Sequence, residues 1–166
     1  MDVLVRKVRR GDGPALARIA LENAAYYVDL APDDFRLVEE EGLGDFLEPD
    51  ARVSSESALS LVAEIGGEVV GSLEAELVPP LESARYQLVP ELGHKRLFIN
   101  HVGTSQSHWR KGVATKLVEA AEAWGRSHGA TIALRYVPGE SRLASLLGGA
   151  NGLFPALRRL RKPLAG

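Results

Sequence analysis

The stretch "SHWRKGVATKLVEAAEAW", Ser107–Trp124, places two cations and a glycine directly before an amphipathic helical pattern. From Val113 onward the apolar residues recur at the spacing of one helix face, so the sequence predicts a helix over residues 111–128. The first amides of a helix have no partner within it, and the helix dipole adds partial positive charge at the same end. With Arg110 and Lys111 beside those amides, we expect a phosphate-binding site at this helix start.

Two common phosphate motifs do not describe this stretch. The P-loop needs a second glycine and a Gly-Lys-Ser/Thr ending, and the dinucleotide fingerprint needs three spaced glycines. Here Gly112 is followed by Val113 and Ala114. A solvated helix start that happens to carry basic residues is the simpler alternative.

The segments on either side of this helix have the composition of strands. They are "KRLFINHVG" (95–103) before it and "ATIALRYV" (130–137) after it. A strand, a crossover helix and a second strand predict a right-handed βαβ unit whose two strands are parallel.

The remaining elements follow from local signals. "DVLVRKV" (2–8) alternates like a strand, and a helix follows with Asp12 as its N-cap. "APDDF" suggests a second helix that ends near Phe46 or Leu47. Two β-rich runs around Gly66-Gly67 predict a hairpin. Further predictions are an irregular connection over 79–93, a short helix from about Ser141 to Leu147 and a last strand near 156–162.

These elements predict an α/β fold in one domain over residues 1–166. The central sheet is expected to be mixed and mostly antiparallel, with helices on its faces and the βαβ unit carrying the phosphate site.

Overall composition limits the possible functions. The 166 residues carry 20 basic and 22 acidic side chains, a formal charge of -2, which does not favour a nucleic-acid or membrane-surface partner. No apolar run approaches the roughly 20 residues that span a bilayer. The chain has no cysteine, which excludes disulfides and thiolate catalysis, and a cytoplasmic location is expected. Its four histidines lack metal-ligand spacing, so no metal site is expected.

The basic run "LRRLRK" (157–162) has no interleaved aromatic residues. Because nucleic-acid grooves usually combine cations with stacking aromatics, this run is interpreted as the exposed edge of the last strand.

The helix start resembles that of the GCN5-related N-acetyltransferase (GNAT) family, which carries Arg/Gln-x-x-Gly-x-Gly/Ala there. Gly112 matches the central glycine and Ala114 the last position. "INHVGTSQSHW" resembles the family's preceding strand and loop, and "LVEAAEAWGRSHGATIALRYV" its helix and next strand. The resemblance covers nearly the whole chain and is strongest over 97–137. It implies acetyl-CoA as cosubstrate, an amine acceptor and a possible homodimer.

The resemblance also implies which residues contact acetyl-CoA. In the family, a backbone amide near the end of the strand binds the acetyl carbonyl, the helix-start amides hold the pyrophosphate, and a later motif contributes further contacts. The corresponding residues are Val102, Gly103, Thr104, Trp109, Arg110, Lys111, Gly112, Val113, Ala114, Thr115 and Ser141.

Two positions depart from the family pattern. Trp109 stands where the family has Arg or Gln, with Arg110 one place later. The family tyrosine that often reprotonates the thiolate falls on Gly148, so that proton donor is missing from its usual place.

Candidate catalytic residues lie on the predicted strand before the helix. His101 and Asn100 are neighbours, and adjacent strand residues point to opposite faces, so only one of them should reach the cleft. Histidine is a common general base near neutral pH, so His101 could serve as the base, although a solvated or packed histidine is the alternative. Tyr136 is the nearest aromatic hydroxyl to the altered motif and could replace the missing acid.

Four residues are candidates for the acceptor site. Tyr26 and Tyr27 end the first helix, where the family often shapes the acceptor pocket; core packing is the alternative for Tyr27. Glu74 and Glu76 share one strand face and could pass a proton through water, or be ordinary exposed carboxylates. The first two helices and the 79–93 connection are expected to line this pocket.

The sequence therefore predicts an N-acetyltransferase that moves acetyl from acetyl-CoA directly to a primary amine of a small molecule or peptide. Direct transfer is expected because no cysteine can carry the acyl group. The alternative is a catalytically impaired domain of this fold that binds acyl-CoA or a protein partner without turnover. A nucleotide-binding module is a third interpretation.

Overall fold

The computed structural model describes the backbone of residues 2–49, 55–138, 150–151 and 157–164, and the side chains of these residues other than 136–138, 150–151 and 157–160. Its backbone contacts divide the chain into two compact units. The first comprises Met1–Glu74 and His101–Ala120, and the second Ala75–Asn100 and Ala121–Gly166.

The elements follow one another along the chain in the order β-α-α-β-β-β-α-β-β-β. They are β1 (Leu4–Lys7), α1 (Gly13–Leu30), α2 (Leu43–Phe46), β2 (Ala58–Ile65), β3 (Glu68–Val78), β4 (Arg96–Thr104), α3 (Val113–Ser127), β5 (Ile132–Pro138), β6 (Ala150–Asn151) and β7 (Leu157–Pro163). Short 3-10 turns at Ala84–Tyr86 and Pro90–Gly93 interrupt the predicted irregular connection.

The strands form one mixed sheet in the order β1-β2-β3-β4-β5-β7-β6. β4 and β5 are parallel, with Arg96 opposite Ile132 and Ile99 opposite Arg135, which confirms the predicted βαβ unit. β1 is antiparallel to β2, and β7 is antiparallel to both β5 and β6. The predicted mixed and mostly antiparallel sheet is therefore correct.

The hairpin between β2 and β3 follows directly from its glycines. Gly66 and Gly67 have φ angles of 60° and 84°, values that glycine adopts without steric cost. Two consecutive left-handed residues match the right-handed twist of the strands they join. A two-residue turn of this kind fixes the register of the two strands.

The core of the first unit lies between α1 and the hairpin. Ile19, Val62 and Val69 form a buried cluster, against which Val8 and Leu16 pack. In the second unit, Leu97, Ala121 and Ile132 are buried on β4, α3 and β5. α3 thus contributes apolar residues to both units, as its helical spacing predicts.

The predicted second helix is wrong over most of its length. The chain makes a turn after Ala31, continues without regular structure, and is helical only over Leu43–Phe46. Leu37 and Phe46 are each 64% exposed, so this segment buries no continuous apolar face that would stabilise a helix. The three consecutive glutamates at 39–41 add like-charge repulsion.

Asp12 lies at the N-cap position of α1, as predicted, but its side chain makes no cap hydrogen bond. Its carboxylate accepts hydrogen bonds from the Arg6 guanidinium at 2.8 and 2.9 Å and from the Arg9 backbone N–H at 2.8 Å. The Arg6 Nε–H also donates to Glu64 at 2.7 Å. Asp12 therefore ties α1 to β1, and Glu64 extends that tie to β2.

The ion pair shifts the pKa values of both partners. Burial raises the pKa of Asp12, but the hydrogen bonds from Arg6 and Arg9 outweigh it, and the pKa of this carboxyl is lowered. The hydrogen bond to Asp12 is the main reason that the pKa of Arg6 is raised. The charged forms of both side chains are the stable ones in the folded protein.

We predict that Asp12→Asn lowers the free energy of unfolding at pH 7 by about 1–3 kcal/mol, because a part-buried guanidinium loses one of its two charged acceptors and keeps only Glu64. Since the folded-state pKa of Asp12 is lowered, its contribution is full above the unfolded pKa of about 3.9 and is lost as pH falls through the folded-state pKa. The difference between wild type and variant should therefore narrow below about pH 4. Urea unfolding of wild type and variant at a series of pH values from 7 to 2 measures this difference in stability.

Asp29→Asn is the matched control, because Asp29 is an exposed carboxylate on the same helix. It should change the free energy of unfolding by less than about 0.5 kcal/mol. A wild-type to Asp12→Asn difference that stays constant down to pH 2 would contradict the role assigned to the Asp12 carboxylate.

Candidate functional site

Two residues of the loop before α3 have positive φ angles. They are Gly112, with a φ angle of 81°, and Arg110, with one of 62°. Loops in which left-handed residues alternate with right-handed ones often bind anions through their neighbouring amides. A left-handed arginine is uncommon because its Cβ is crowded, so the surrounding loop must hold Arg110 in place.

The surface at this helix start is open and cationic. A Cβ added to Gly112 would meet nothing within 4 Å, so a ligand can approach the backbone. Arg110, Lys111 and Thr115 are exposed there, whereas Val113 is only 1% exposed and anchors the helix in the first unit. The sequence predicts a phosphate cradle at this surface, and the term cradle denotes residues 109–115.

The peptide bond between Thr104 and Ser105 is held on both sides. The Thr104 carbonyl accepts hydrogen bonds from the Trp109 indole at 3.0 Å and from the Asn23 amide at 3.3 Å. The Ser105 N–H donates to the Val70 carbonyl at 2.9 Å. The end of β4 and the beginning of the cradle loop are therefore fixed to α1 and β3.

α1 holds this loop at a second point. The Glu22 carboxylate accepts the Gln106 N–H at 2.7 Å, and Arg18 lies on the same side of α1, with a nitrogen 3.7 Å from the Glu22 carboxylate. Glu22 and Asn23 were not among the predicted site residues. The only sequence signal was Asn23, a polar amide in the apolar stripe of the helix, since buried amides usually have partners.

An aromatic row extends from Trp109 along the end of α1. Trp109 meets Tyr26 edge to face with ring centroids 5.1 Å apart, and Tyr27 packs on Phe35 at 5.0 Å. Trp109 therefore has a packing and loop-fixing contact where the family pattern has Arg or Gln. Burial, with a smaller effect of Tyr26, raises the pKa of Tyr27, so its phenol stays protonated near neutral pH.

His101 lies next to Gly103 on one face of β4. A Cβ on Gly103 would come within 2.9 Å of His101 Nε2 and 3.2 Å of the Asn23 amide nitrogen. Only glycine leaves room for the imidazole in this position. His101 and Asn23 thus lie against one face of the strand segment 102–104. The sequence predicts that a backbone amide of this segment binds the acetyl carbonyl.

The first unit contains a cavity of about 170 Å³ beside His101. Its lining includes Ser60 from β2 and Ser72 and Glu74 from β3, together with apolar residues from α1 and the segment after α2. Ser72 and Glu74 are alternate residues of β3, so their side chains share one face of the strand, whereas that of Leu73 is directed to the other. A histidine, a carboxylate and two hydroxyls thus border one mainly apolar cavity.

The remaining candidates are distributed as follows. Asn100 and Glu76 are exposed on β4 and β3. The backbone of Tyr136 lies in β5, and its side chain is outside the described part. Ser141 and Gly148, with the predicted helix over 141–147, lie outside the described residues. Of the adjacent pair on β4, His101 is the one that lines the cavity.

The described residues form neither a metal-binding cluster nor a membrane-spanning helix. Among them, no group of three or more histidine, aspartate or glutamate side chains is placed to hold a metal ion. No helix within the described ranges is long and apolar enough to cross a bilayer.

Comparison with known structures gives relatives of the same fold. An N-acetyltransferase described as PaiA from Thermoplasma acidophilum, in complex with coenzyme A, has a TM-score of 0.65 at 13% identity over 98% of this chain and 99% of that chain. A ribosomal-protein-alanine N-acetyltransferase from Brucella melitensis has a TM-score of 0.64 at 19% identity, covering 96% and 99%. At these identities the likeness establishes the fold.

Sequence comparison gives the family. No curated protein matches this sequence. The model of the acetyltransferase (GNAT) family matches residues 20–143, which include β4, the cradle and α3. Because this match spans most of the chain and the fold agrees with that of acetyltransferases, the protein belongs to the GNAT acetyltransferase family.

Proposed function

We propose that this protein transfers an acetyl group from acetyl-CoA directly to a primary amine of a small molecule or peptide. The observation that carries the proposal is the cradle, where a left-handed glycine with open space beside it adjoins two exposed cations at the start of α3. Family membership supports acetyl transfer, and the relative from Thermoplasma acidophilum was solved with coenzyme A.

The cradle fits the pyrophosphate of coenzyme A by its charge and shape. The amides of the first turn of α3 donate to phosphate oxygens, and Arg110 and Lys111 neutralise its charge. Thr115 adds a hydroxyl one turn into the helix. The helix dipole alone contributes only about 0.3–1 kcal/mol, so the cations and several amides must act together.

Acetyl-CoA supplies a thioester that an amine can attack. One C–N bond forms and the C–S bond breaks, so the sulfur leaves with the electron pair. The ammonium acceptor loses two protons, one to a base before attack and one that ends on the departing thiolate. A lysine-like amine with a pKa of about 10.4 is only about 0.1% neutral at pH 7.4, so the first proton transfer costs roughly 4 kcal/mol.

His101 is the proposed base, because it lines the cavity and lies against Gly103. An amide of Val102, Gly103 or Thr104 is the proposed donor to the acetyl carbonyl oxygen. The next amide, that of Ser105, already donates to Val70, so the proposed donor is one of the three amides before it. Asn100, Tyr136 and Ser141 remain candidates for the roles that the sequence predicts.

The second candidate function is acyl-CoA or partner binding without turnover. Two observations favour it: Gly148 replaces the family tyrosine, and Trp109 is engaged with Thr104 and Tyr26. Release of free thiol from acetyl-CoA over a panel of amines separates the two functions. Thiol release supports the transferase, whereas acetyl-CoA binding without release supports the impaired domain.

We predict that Gly112→Glu abolishes the stabilisation of the protein by acetyl-CoA, because a carboxylate side chain would occupy the open surface and repel phosphate. In the wild type, ligand at about 100 times its dissociation constant should add about 2.7 kcal/mol, which raises the thermal midpoint by roughly 5–10 °C. ATP should not produce this shift. Differential scanning fluorimetry with each ligand measures both.

Gly129→Glu is the matched control for this variant. Gly129 follows the other end of α3 with a φ of 82°, so the substitution introduces the same charge and similar backbone strain away from the cradle. The thermal midpoint of Gly129→Glu should still rise with acetyl-CoA. If Gly112→Glu responds to acetyl-CoA as strongly as Gly129→Glu does, the cradle is misplaced; an equal response of wild type to ATP would favour the nucleotide-binding module.

We predict that Gly103→Ala displaces the His101 imidazole, because the new methyl group would lie only 2.9 Å from Nε2. It should cost about 1–3 kcal/mol of stability and lower kcat more than it raises the Kd for acetyl-CoA. The chain has four histidines, so their imidazole NMR signals can be resolved and assigned by substitution. The His101 signals should shift most.

Gly93→Ala serves as the comparison, since a Cβ there makes an ordinary 3.6 Å contact with Ala84. It should leave the His101 signals and kcat unchanged. An unshifted His101 signal in Gly103→Ala, or an unchanged kcat despite a shifted signal, would remove His101 from the mechanism.

A further inference from the structure

The cavity beside His101 is mainly apolar. Its volume of about 170 Å³ is close to that of an engineered cavity of about 150 Å³ that holds a single benzene. Apolar residues of the first unit line it, and they include Val8, Leu16, Ala20, Leu47 and Pro49. The space therefore suits a compact hydrocarbon group rather than an extended polar chain.

The polar groups of the cavity are few, and one of them is acidic. Glu74 contributes a carboxylate, His101 an imidazole, and Ser60 and Ser72 hydroxyl groups, with Ser72 only 6% exposed. Among the residues that the structure describes, no lysine or arginine lines the cavity. A ligand with one cationic end and an apolar body matches both the charge and the surface of this space.

We propose that this cavity binds the acceptor, and that the acceptor is a primary monoamine whose compact apolar body has the size of a branched C4–C5 alkyl or benzyl group. The inference rests on the proposed acetyl transfer and specifies its substrate class. The ammonium lies toward Glu74 and His101, and the apolar body lies among the leucines. In the acetyl transfer described above, the ammonium gives up one proton to His101 and one to the departing sulfur.

Charge and volume argue against polycations as the preferred acceptors. A polyamine or aminoglycoside would place further ammonium groups against leucine side chains, and a buried charge without a partner is costly. Such a ligand would also exceed the volume of the cavity. A peptide acceptor would need an opening through which the rest of its chain could leave the cavity. Acetylation of a peptide amine is therefore a separate outcome of the test.

His101 connects this cavity to the strand segment where the acetyl carbonyl is expected. Its ring lines the cavity and also lies within contact distance of the Gly103 position. An amine beside the imidazole therefore lies on the same face of β4 as the Gly103 site. This places the nucleophile and the proposed base together, as a proton transfer requires.

The first experiment measures thiol release from acetyl-CoA with isoamylamine, benzylamine, ethylamine, spermidine, kanamycin and the dipeptide Leu-Ala. Isoamylamine should exceed ethylamine in kcat/KM by about 50-fold, because each buried methylene contributes a factor of about four. Spermidine, kanamycin and Leu-Ala should all fall below isoamylamine. A higher kcat/KM for any of the three overturns the monoamine assignment while leaving acetyl transfer intact.

The second experiment fills the cavity. Ala20→Leu should reduce the preference for isoamylamine over ethylamine at least tenfold, because the added carbons occupy the space of the alkyl body. Ala17→Leu is the control, because Ala17 lies on the same helix, is also half-buried and does not line the cavity. Both variants should keep the acetyl-CoA response. An unchanged preference in Ala20→Leu places the acceptor elsewhere.

Direct binding separates failure of this inference from failure of the proposed function. Saturation-transfer NMR with isoamylamine, without acetyl-CoA, should show contact that Ala20→Leu removes and Ala17→Leu keeps. Glu74→Gln should weaken this binding about tenfold, because the ammonium loses the one carboxylate that the described residues contribute to the lining. If no amine releases thiol but this binding holds, the transferase proposal fails and the amine site stands. Absence of binding overturns the site.

Discussion

The peptide bond between Thr104 and Ser105 is the constraint on which the rest of the candidate site depends. Its carbonyl accepts from α1 and from the Trp109 indole, and its N–H donates to β3. A peptide group that is bonded on both sides cannot rotate without losing several hydrogen bonds at once. The chain therefore leaves β4 in one direction and enters the cradle loop with its amides already oriented.

This constraint explains how the protein accommodates a tryptophan where its family has Arg or Gln. An indole has one N–H donor, and here it is directed to a backbone carbonyl, while the ring packs on Tyr26. Two cations, Arg110 and Lys111, are exposed beside it at the start of α3. The left-handed conformation of Arg110 is the strained part of this arrangement, and the fixed loop on its N-terminal side holds it.

The same helix that holds the loop also borders the cavity beside His101. α1 presents Glu22 and Asn23 to the loop, and Leu16 and Ala20 to the cavity. Its beginning is tied to β1 through the ion pair of Asp12 with Arg6. One helix thus fixes the loop before α3 and one wall of the cavity, so a displacement of α1 should change both.

Short-range patterns in the sequence determined much of this fold. The period of the apolar residues indicated α3, the Gly66-Gly67 pair indicated the hairpin, and a strand-helix-strand order indicated a parallel pair. The cradle was predicted for the same reason, since a helix start and the residues beside it are local. Each of these features depends on residues close together along the chain.

Only the tertiary structure decided the rest, because it depends on contacts between distant residues. The segment after α1 had the residues of a helix, yet it buries no apolar face and stays largely irregular. Asp12 could cap α1, but Arg6 across the turn binds its carboxylate more strongly than a backbone amide would. Because adjacent strand residues face opposite ways, the sequence indicated that either His101 or Asn100 reaches the cleft, but not both. The tertiary structure shows that His101 lines the cavity. The cavity itself comes from residues of α1, three strands and a loop, whose proximity no local pattern encodes.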